Sequence, residues 1–307
     1  MIDIHAHWFP PALTKEFTRV GNLKVWPEHR PELAGRAEEL AADGVRLQVV
    51  GLGHNQPYHT DSAVSVHCAR FANDLYATMA ADFPGRFSAF GAVPLPHPEH
   101  AVAEAVRCLD EHRFAGIGVG TTALGRSLDD PAFAELWAEL DRRRAVVFVH
   151  PVGTPDTFST GLDAFMMGPK YGGPMEATLA TTRLVVSGVT RRYPNIRWII
   201  ATMGGSIGYL WRRFEEITET LHQDEWLATN PRQELKKLYY DTTLTDDPAA
   251  IKLFADSFGA DRLVLGTDAP RVRAGDWADR IKAVPGLDDH QLRAVLNDTA
   301  ASLGIGA

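Results

Sequence analysis

The chain has 307 residues, of which 45% are hydrophobic and 23% are charged. This balance excludes a disordered chain, a collagen-like repeat and a pure coiled coil. The formal net charge of −8 would repel nucleic-acid phosphates and anionic lipid, so we expect neither a nucleic-acid partner nor a membrane partner.

Targeting and linker features are missing from the sequence. It has no basic start followed by an apolar run, and no apolar run of about 18 residues. Cys68 and Cys108 are too few for a disulfide framework, and both are expected to be core residues. No change in composition marks a domain boundary. The sequence therefore predicts one soluble, cytoplasmic domain over residues 1–307.

Short apolar segments with β-branched residues recur along the chain and predict eight strands. They are Ile2–His5, Arg46–Gly51, Phe87–Val93, Gly116–Val119, Val146–His150, Ile196–Ala201, Leu238–Asp241 and Leu263–Gly266. Between them lie segments with helical periodicity. These are Ala63–Asp82, Pro98–His112, Pro131–Arg143, Met175–Tyr193, Ile207–Trp226 and Pro248–Phe258.

This alternation predicts an α/β protein with parallel strands joined by helices. About eight repeats in one chain of this length favour a (β/α)₈ TIM-type barrel over an open sheet. The segment Phe9–Arg30 is rich in proline and aromatic residues. We expect it to be an inserted loop after the first strand, which could act as a lid over the barrel mouth.

Polar residues at the carboxyl ends of the strands are the candidates for chemistry, because active sites of such barrels lie there. The residues at these positions are His5, His7, His54, His150, Thr202, Asp241 and Asp268. Most of these side chains are good metal ligands.

Four of these residues predict a metal site. His5 and His7 are two residues apart on a strand, so both point to one face, where a single cation could bind them. His150 ends an apolar run and precedes Pro151, which holds the imidazole at the rim. Asp268 follows the last strand, where a buried carboxylate needs a partner. Three neutral imidazoles and one carboxylate suit Zn²⁺ or another borderline divalent cation.

Motifs spread along the chain point to a known family. They are Asp3–His7, Phe83–Phe87, His150–Pro151 and Gly259–Asp268, with further matches at Ala72–Asp74, Met175–Thr178, Tyr193–Pro194 and Asn297. On these residues the chain resembles the amidohydrolase superfamily, in the branch that includes aminocarboxymuconate-semialdehyde decarboxylase. The resemblance implies a barrel that holds a divalent metal through His5, His7, His150 and Asp268. It also implies decarboxylation or hydrolysis of small acids.

One position departs from the pattern of that family. The sixth strand of its members usually ends in a histidine that activates the metal-bound water, and Thr202 stands in that place here. A threonine hydroxyl does not exchange a proton near neutral pH as an imidazole does. Three explanations stay open, in this order: another group supplies the base, the reaction needs none there, or activity was lost while the fold was kept.

His54, directly after the second strand, is the first candidate for a replacement acid or base. His59 lies on the same loop. Either could instead be a solvent-facing histidine, since an ordinary imidazole pKa suits both roles. Asp268 could also relay a proton while it binds the metal.

A substrate carboxylate needs a cationic partner near the barrel mouth. The candidates are Arg19, Lys24, Arg30, Lys170, Arg271 and Arg273. By resemblance, Arg213 matches an arginine that reaches a neighbouring subunit's site and holds substrate carboxylate, although the adjacent Arg212 could fill that role. This implies a homodimer. Trp8, Phe9 and Trp26 could wall an apolar or aromatic ligand.

The sequence thus favours three functions, in this order. The first is nonoxidative, metal-dependent decarboxylation of a small aromatic or unsaturated carboxylic acid. The second is metal-dependent hydrolysis of a lactone, an amide or a C–C bond. The third is a noncatalytic metal- or ligand-binding barrel, which Thr202 motivates. The catalytic candidates are Asp268, His54 and Thr202, and the substrate-binding candidates are Arg213, Trp8 and Phe9.

Overall fold

Eight parallel strands form one sheet in the order of the sequence. The computed structural model describes residues 1–23, 32–153, 162, 167–220, 231–243 and 247–306. The strands are β1 (Ile2–His7), β2 (Leu47–Gly51), β3 (Phe87–Ala92), β4 (Gly116–Gly120), β5 (Val146–His150), β6 (Arg197–Ile200), β7 (Tyr239–Asp241) and β8 (Leu263–Val264). All eight overlap the predicted strands.

The residues that follow β8 meet β1 and close the barrel. The backbone N–H of Ile4 donates to the Leu265 carbonyl at 2.9 Å, and that of His7 donates to the Ala269 carbonyl at 2.6 Å. An isolated parallel bridge joins Ala6 to Ala269. The predicted TIM-type barrel is confirmed, and its closure brings the residues after β8 beside the β1 histidines.

The helices alternate with the strands. They are α1 (Pro11–Arg19), α2 (Leu33–Ala42), α3 (Ser62–Asp82), α4 (Pro98–Asp110), α5 (Ala134–Arg142), α6 (Gly173–Val186), α7 (Val189–Arg192), α8 (Ile207–Thr220), α9 (Pro231–Leu235), α10 (Pro248–Phe258), α11 (Ala274–Lys282), α12 (Asp289–Arg293) and α13 (Thr299–Ser302). Among these described helices, none is both long and apolar enough to cross a bilayer.

Two predicted helices differ from the structure in their extent. The predicted helix Met175–Tyr193 is two helices, because Gly188 adopts a φ of +74° between them and breaks the helical path. The described part of the predicted helix Ile207–Trp226 ends at Thr220, and the last predicted positions lie outside the described residues.

The segment Phe9–Arg30, expected to be a loop, contains helix α1. Pro11 occupies the first turn, where its missing N–H costs nothing, and Leu13 and Phe17 bury one face of the helix. The prediction of a loop is therefore wrong for these nine residues, because a short amphipathic pattern forms a helix despite the neighbouring prolines and aromatic residues. Positions 24–30 lie outside the described residues, so the lid stays a prediction.

The barrel interior is packed beneath the strand ends. Every residue of β5 is buried, as in a parallel strand covered on both faces. Its side chains alternate, so Phe148 points inward with His150. The Phe148 ring stacks on Phe90 at 4.9 Å and touches the His5 ring at 5.0 Å. These rings form an apolar floor for the histidines above them. Cys68 and Cys108 are buried in the core, as predicted.

Candidate metal centre and active site

A cavity of about 490 Å³ opens at the carboxyl ends of the strands. Its described lining combines histidine, carboxylate, hydroxyl and guanidinium groups with many glycines, prolines and apolar side chains. The lining residues are His5, His7, Phe9, Leu52, Gly53, His54, Asn55, His150, Pro151, Gly153, Gly168, Pro169, Gly173, Pro174, Thr202, Thr243, Asp268, Pro270 and Arg271. The strand-end positions chosen from the sequence therefore meet in one cavity, apart from Asp241, which lies behind it.

Three imidazoles converge at the bottom of this cavity. The ligand nitrogens of His5, His7 and His150 all lie within 4.8 Å of one another. The ring of His150 lies 4.9 Å from that of His5 and 5.1 Å from that of His7. One cation can thus reach all three rings.

Each of these rings has an acceptor at Nδ1. His5 Nδ1 lies 2.6 Å from Asp241 Oδ2, His7 Nδ1 lies 2.9 Å from the Gly51 carbonyl, and His150 Nδ1 lies 2.6 Å from the Pro151 carbonyl. A carbonyl or carboxylate oxygen can only accept, so we assign the ring proton to Nδ1. Every Nε2 then carries a lone pair that faces the cavity.

Asp268 completes the group. Its Oδ1 lies 3.1 Å from His7 Nε2 and 3.8 Å from His5 Nε2, and the side chain is 9% exposed. The residue adopts a φ of +59°, a left-handed conformation that aspartate tolerates. Its backbone N–H donates to the His5 carbonyl at 2.9 Å. The residue after β8 is thereby held against β1.

This geometry fits a cation. With Nδ1 protonated, His5 Nε2 and His7 Nε2 are two acceptors only 3.3 Å apart, and His7 Nε2 faces another acceptor in Asp268. Acceptors at such distances repel one another unless a positive charge lies between them. Three nitrogens and one carboxylate oxygen form a suitable donor set for a divalent transition metal.

Burial favours the uncharged form of His150. It holds the pKa of this ring well below its ordinary value, with smaller contributions from the neighbouring histidines. His5 behaves differently: burial lowers its pKa, but the carboxylates of Asp241, Asp268 and Asp3 together outweigh burial and raise the pKa above the ordinary value, with Asp241 contributing most among them. A partner that raises the basicity of a ring also strengthens it as a metal ligand.

Asp241 is a functional candidate that the sequence placed at a strand end without assigning it a role. Its Oδ2 holds His5, while its Oδ1 accepts the backbone N–H groups of Thr202 at 2.8 Å and Thr243 at 3.0 Å. The residue is fully buried. The cost of burying a carboxylate indicates that it needs a partner, but the sequence does not reveal that the partner is a histidine.

A second buried carboxylate anchors β1 from below. Asp3 Oδ2 accepts from Gln48 Nε2 at 2.6 Å and from Thr267 Oγ1 at 2.7 Å. Arg36 donates to Gln48 at 2.7 Å and to the His7 carbonyl at 2.8 Å. The hydrogen bonds join β1 to β2 and to the segment after β8, which fixes the backbone that carries the two histidines.

His54 lies beside the metal-ligand candidates. It follows Gly53, whose φ is +54° and whose position leaves no room for a Cβ beside His7. The His54 ring lies 5.0 Å from that of His150, and its buried Nδ1 has no hydrogen-bond partner among the described residues. Burial lowers the pKa of His54 to about 4, so the ring is neutral at neutral pH. His59 is not a lining residue and accepts from the Asp61 N–H instead.

The predicted substrate contacts divide into two groups. Phe9 lines the cavity, whereas Trp8 lies outside the described lining with its ring 6.2 Å from that of Tyr76. Arg213 is exposed on α8 and does not line the cavity of its own chain. Trp26 lies outside the described residues.

Of the cationic candidates, the structure brings Arg271 into the cavity. It is the only arginine or lysine among the described lining residues, and its Nη1 lies 3.6 Å from Asp268 Oδ2. Arg19 pairs with Glu16, and Arg273 pairs with Asp43 at 2.6 Å. Lys170 is exposed and outside the lining, while Lys24 and Arg30 are not among the described positions.

These features define a barrel with a candidate divalent-metal site at the strand ends. The amidohydrolase family model matches residues 2–303, so the chain belongs to the amidohydrolase family.

The named relatives are decarboxylases. The chain is 29% identical over 243 residues to 2-amino-3-carboxymuconate-6-semialdehyde decarboxylase of Dictyostelium discoideum, a match that covers 76% of this chain and 66% of the relative. It is 25% identical over 283 residues to 6-methylsalicylic acid decarboxylase of Penicillium expansum, covering 88% and 84%. It is 28% identical over 280 residues to gamma-resorcylate decarboxylase of a Rhizobium species, covering 80% and 83%.

Solved structures share the fold. The crystal structure of 2,6-dihydroxybenzoate decarboxylase in complex with 2,6-dihydroxybenzoate superimposes with a TM-score of 0.86 at 20% identity, over 98% of each chain. Dihydroxybenzoic acid decarboxylase from a Polaromonas species, solved with bound manganese and an inhibitor, gives a TM-score of 0.86 at 21% identity. That match covers 98% of this chain and 96% of the other.

The contact between Asp241 and His5 predicts a measurable effect on metal affinity. We expect Asp241→Asn to weaken the binding of a divalent metal by about 10- to 100-fold, because the amide can present an N–H to His5 and favour the wrong ring tautomer. Competition with a chromogenic chelator measures the affinity. Asp247→Asn, at the exposed N-cap of α10, is the matched control. Equal metal affinity in the two variants would contradict the assigned role.

Proposed function

We propose that the protein is a metal-dependent, nonoxidative decarboxylase of a small aromatic or unsaturated carboxylic acid. The observation that carries the proposal is the convergence of His5, His7, His150 and Asp268 at the bottom of a cavity of about 490 Å³. Such a volume suits a small-molecule ligand. The reactions in the names of the relatives support this choice.

His5, His7, His150 and Asp268 would hold the metal. When bound, a divalent cation polarises a substrate carboxylate and a neighbouring oxygen, and stabilises the negative charge that develops as CO₂ departs. Zinc agrees with the nitrogen-rich donor set, whereas the similar Polaromonas structure contains manganese. We therefore propose zinc or manganese as the metal.

Arg271 is proposed to hold the substrate carboxylate. It is half-exposed at the cavity wall, and its pairing with Asp268 keeps the guanidinium beside the metal-ligand candidates. A guanidinium can bind a carboxylate through two parallel hydrogen bonds. This orients the acid before its C–C bond breaks.

His54 is proposed to exchange the proton. It is the described lining imidazole that is not assigned to the metal, and a neutral ring carries a donor on one nitrogen and an acceptor on the other. To stay neutral, the ring would take up a proton from solvent in the cavity on its acceptor nitrogen as the other nitrogen gives its proton to the substrate carbon, which replaces the carboxylate that leaves as CO₂. His54 would supply the function that other members of the family give to the histidine that stands where this chain has Thr202. Asp268 keeps the proposed role of a ligand that can also relay a proton.

The homodimer and the role of Arg213 stay predictions. Arg213 is exposed on α8, as a residue that serves a neighbouring subunit would be. Trp8 also stays a predicted substrate contact, although its position beside Tyr76 adds no support.

The reaction itself can be tested directly. Purified protein, loaded with zinc or manganese, is incubated with a panel of hydroxylated benzoic acids and unsaturated dicarboxylic acids, and CO₂ release and products are measured. We expect CO₂ from at least one acid, about one metal per chain, and loss of both in His150→Ala. Water-consuming cleavage of esters, lactones or amides without CO₂ would favour the hydrolase. Metal binding without turnover on either panel would favour the noncatalytic barrel.

The role of His54 predicts a loss of turnover without a loss of metal. We expect His54→Gln to lower kcat by about 10²- to 10⁴-fold, the usual contribution of a positioned acid or base. Metal content measured on the same sample should be unchanged. His59→Gln, on the same loop but outside the lining, is the control and should keep normal turnover. A His54→Gln variant as active as that control would rule out proton exchange at this residue.

The role of Arg271 predicts weaker binding of acids. Without the guanidinium, the carboxylate loses a charge-assisted hydrogen bond, so we expect Arg271→Met to raise the Kd of an aromatic acid by about 10- to 100-fold. Arg273→Met is the control, because Arg273 pairs with Asp43 outside this cavity. Calorimetry on metal-loaded protein measures both. If the two variants bind the acid equally well, Arg271 does not recognise it.

A further inference from the structure

Thr202 has an unusual backbone conformation. Its φ is +54°, in the left-handed region, and Met203, Gly204 and Gly205 after it also have positive φ values. The two glycines adopt this region at no steric cost, but a β-branched residue is a genuine outlier there. Asp241 holds the turn by accepting the Thr202 N–H at 2.8 Å. Such outliers are found where the surroundings maintain them for a function.

The hydroxyl of Thr202 is buried and has no hydrogen-bond partner among the described residues. The residue is 6% exposed and lines the cavity. Thr243, the other threonine of the lining, is different, because its Oγ1 lies 2.9 Å from His5 Nδ1. A buried hydroxyl without a partner is costly. An oxygen of a bound ligand would satisfy the Thr202 hydroxyl.

The position of Thr202 defines which part of a ligand it would meet. β6 pairs with β5, and the Ala201 N–H donates to the Val149 carbonyl at 3.0 Å. Thr202 therefore lies one strand away from His150 and about one residue further out, and adjacent strands are only about 4.8 Å apart. His54 follows β2, on the opposite side of an eight-stranded barrel. A ligand held at the metal-ligand candidates would lie between the two side chains.

We propose that Thr202 is a specificity-determining residue: its hydroxyl hydrogen-bonds to an oxygen substituent, either hydroxyl or carbonyl, that the substrate carries next to its carboxylate. The proposal rests on the proposed function, because it assumes that the cavity binds an acid. Thr202 binds and orients this oxygen and does not move the proton. The threonine that breaks the family pattern thus has a binding role of its own.

The test compares two probes, 2-hydroxybenzoate and benzoate, which differ only in the substituent oxygen. Their Kd values are measured by calorimetry on metal-loaded wild type and on Thr202→Val, which keeps the branched shape but lacks the hydroxyl. We expect Thr202→Val to raise the Kd of 2-hydroxybenzoate by about 3- to 10-fold and to change the Kd of benzoate by less than about 2-fold. Thr202→Ser should restore the preference.

One control variant and a second variant at position 202 separate a loss of binding from a loss of folding. Thr299→Val removes another buried hydroxyl that has no partner in the described structure, far along the chain in α13, and should leave both Kd values unchanged. Thr202→Gly should raise the melting temperature, because glycine adopts the left-handed conformation freely, and should lose the preference for 2-hydroxybenzoate.

The outcomes also separate this proposal from the proposed function. The role of Thr202 would be overturned if Thr202→Val weakened the binding of both probes equally or left the binding of both unchanged. It would also be overturned if the wild type bound neither probe or bound both with the same Kd. A preference that disappears in Thr202→Val supports it. If that preference is found but no acid on the panel releases CO₂, the binding role stands and the decarboxylase proposal fails.

Discussion

The candidate site depends on the hydrogen bonds that fix the Nδ1 side of each imidazole. The Asp241 carboxylate and the carbonyls of Gly51 and Pro151 each accept a hydrogen bond from one ring Nδ1–H. As a result, three lone pairs face one point, where they would repel one another without a cation. The barrel provides the acceptors, because each comes from a strand end or the residue next to it. The candidate metal site therefore depends on the barrel backbone as much as on its histidines.

The closure of the barrel provides the fourth ligand candidate. Asp268 is separated from His5 by most of the chain, yet its backbone N–H donates to the His5 carbonyl. Asp3, Gln48 and Thr267 connect the same strands beneath it through buried hydrogen bonds. The carboxylate and the histidines are thus held by the same contacts that close the sheet, so a disturbance of this junction would affect fold and site together.

Much of this arrangement could be predicted from the sequence. The eight apolar segments and the polar residues at their ends were sufficient to place His5, His7, His150 and Asp268 at one end of a barrel, because parallel strands share the direction of their carboxyl ends. The role of Asp241 was not predictable, because its hydrogen bond to the His5 ring depends on the distance between side chains of two different strands, which the sequence does not give. The left-handed turn at Thr202 was also not predictable from the sequence. A β-branched residue disfavours that conformation, and the neighbouring glycines permit it without requiring it. Helix α1 was missed because its amphipathic pattern is short.

The charges around the cavity argue for an acid as the ligand. The histidines that would bind a metal are neutral in their ligand form, and Asp268 is the one carboxylate of the described lining, balanced by the guanidinium of Arg271. A divalent cation would then bring positive charge that the lining does not neutralise, and Asp241 behind His5 offsets only part of it. A carboxylate substrate compensates the remainder in a partly desolvated space, where charge pairing is stronger than in water. A neutral ester or amide would not, which supports the proposal that this cavity binds acids.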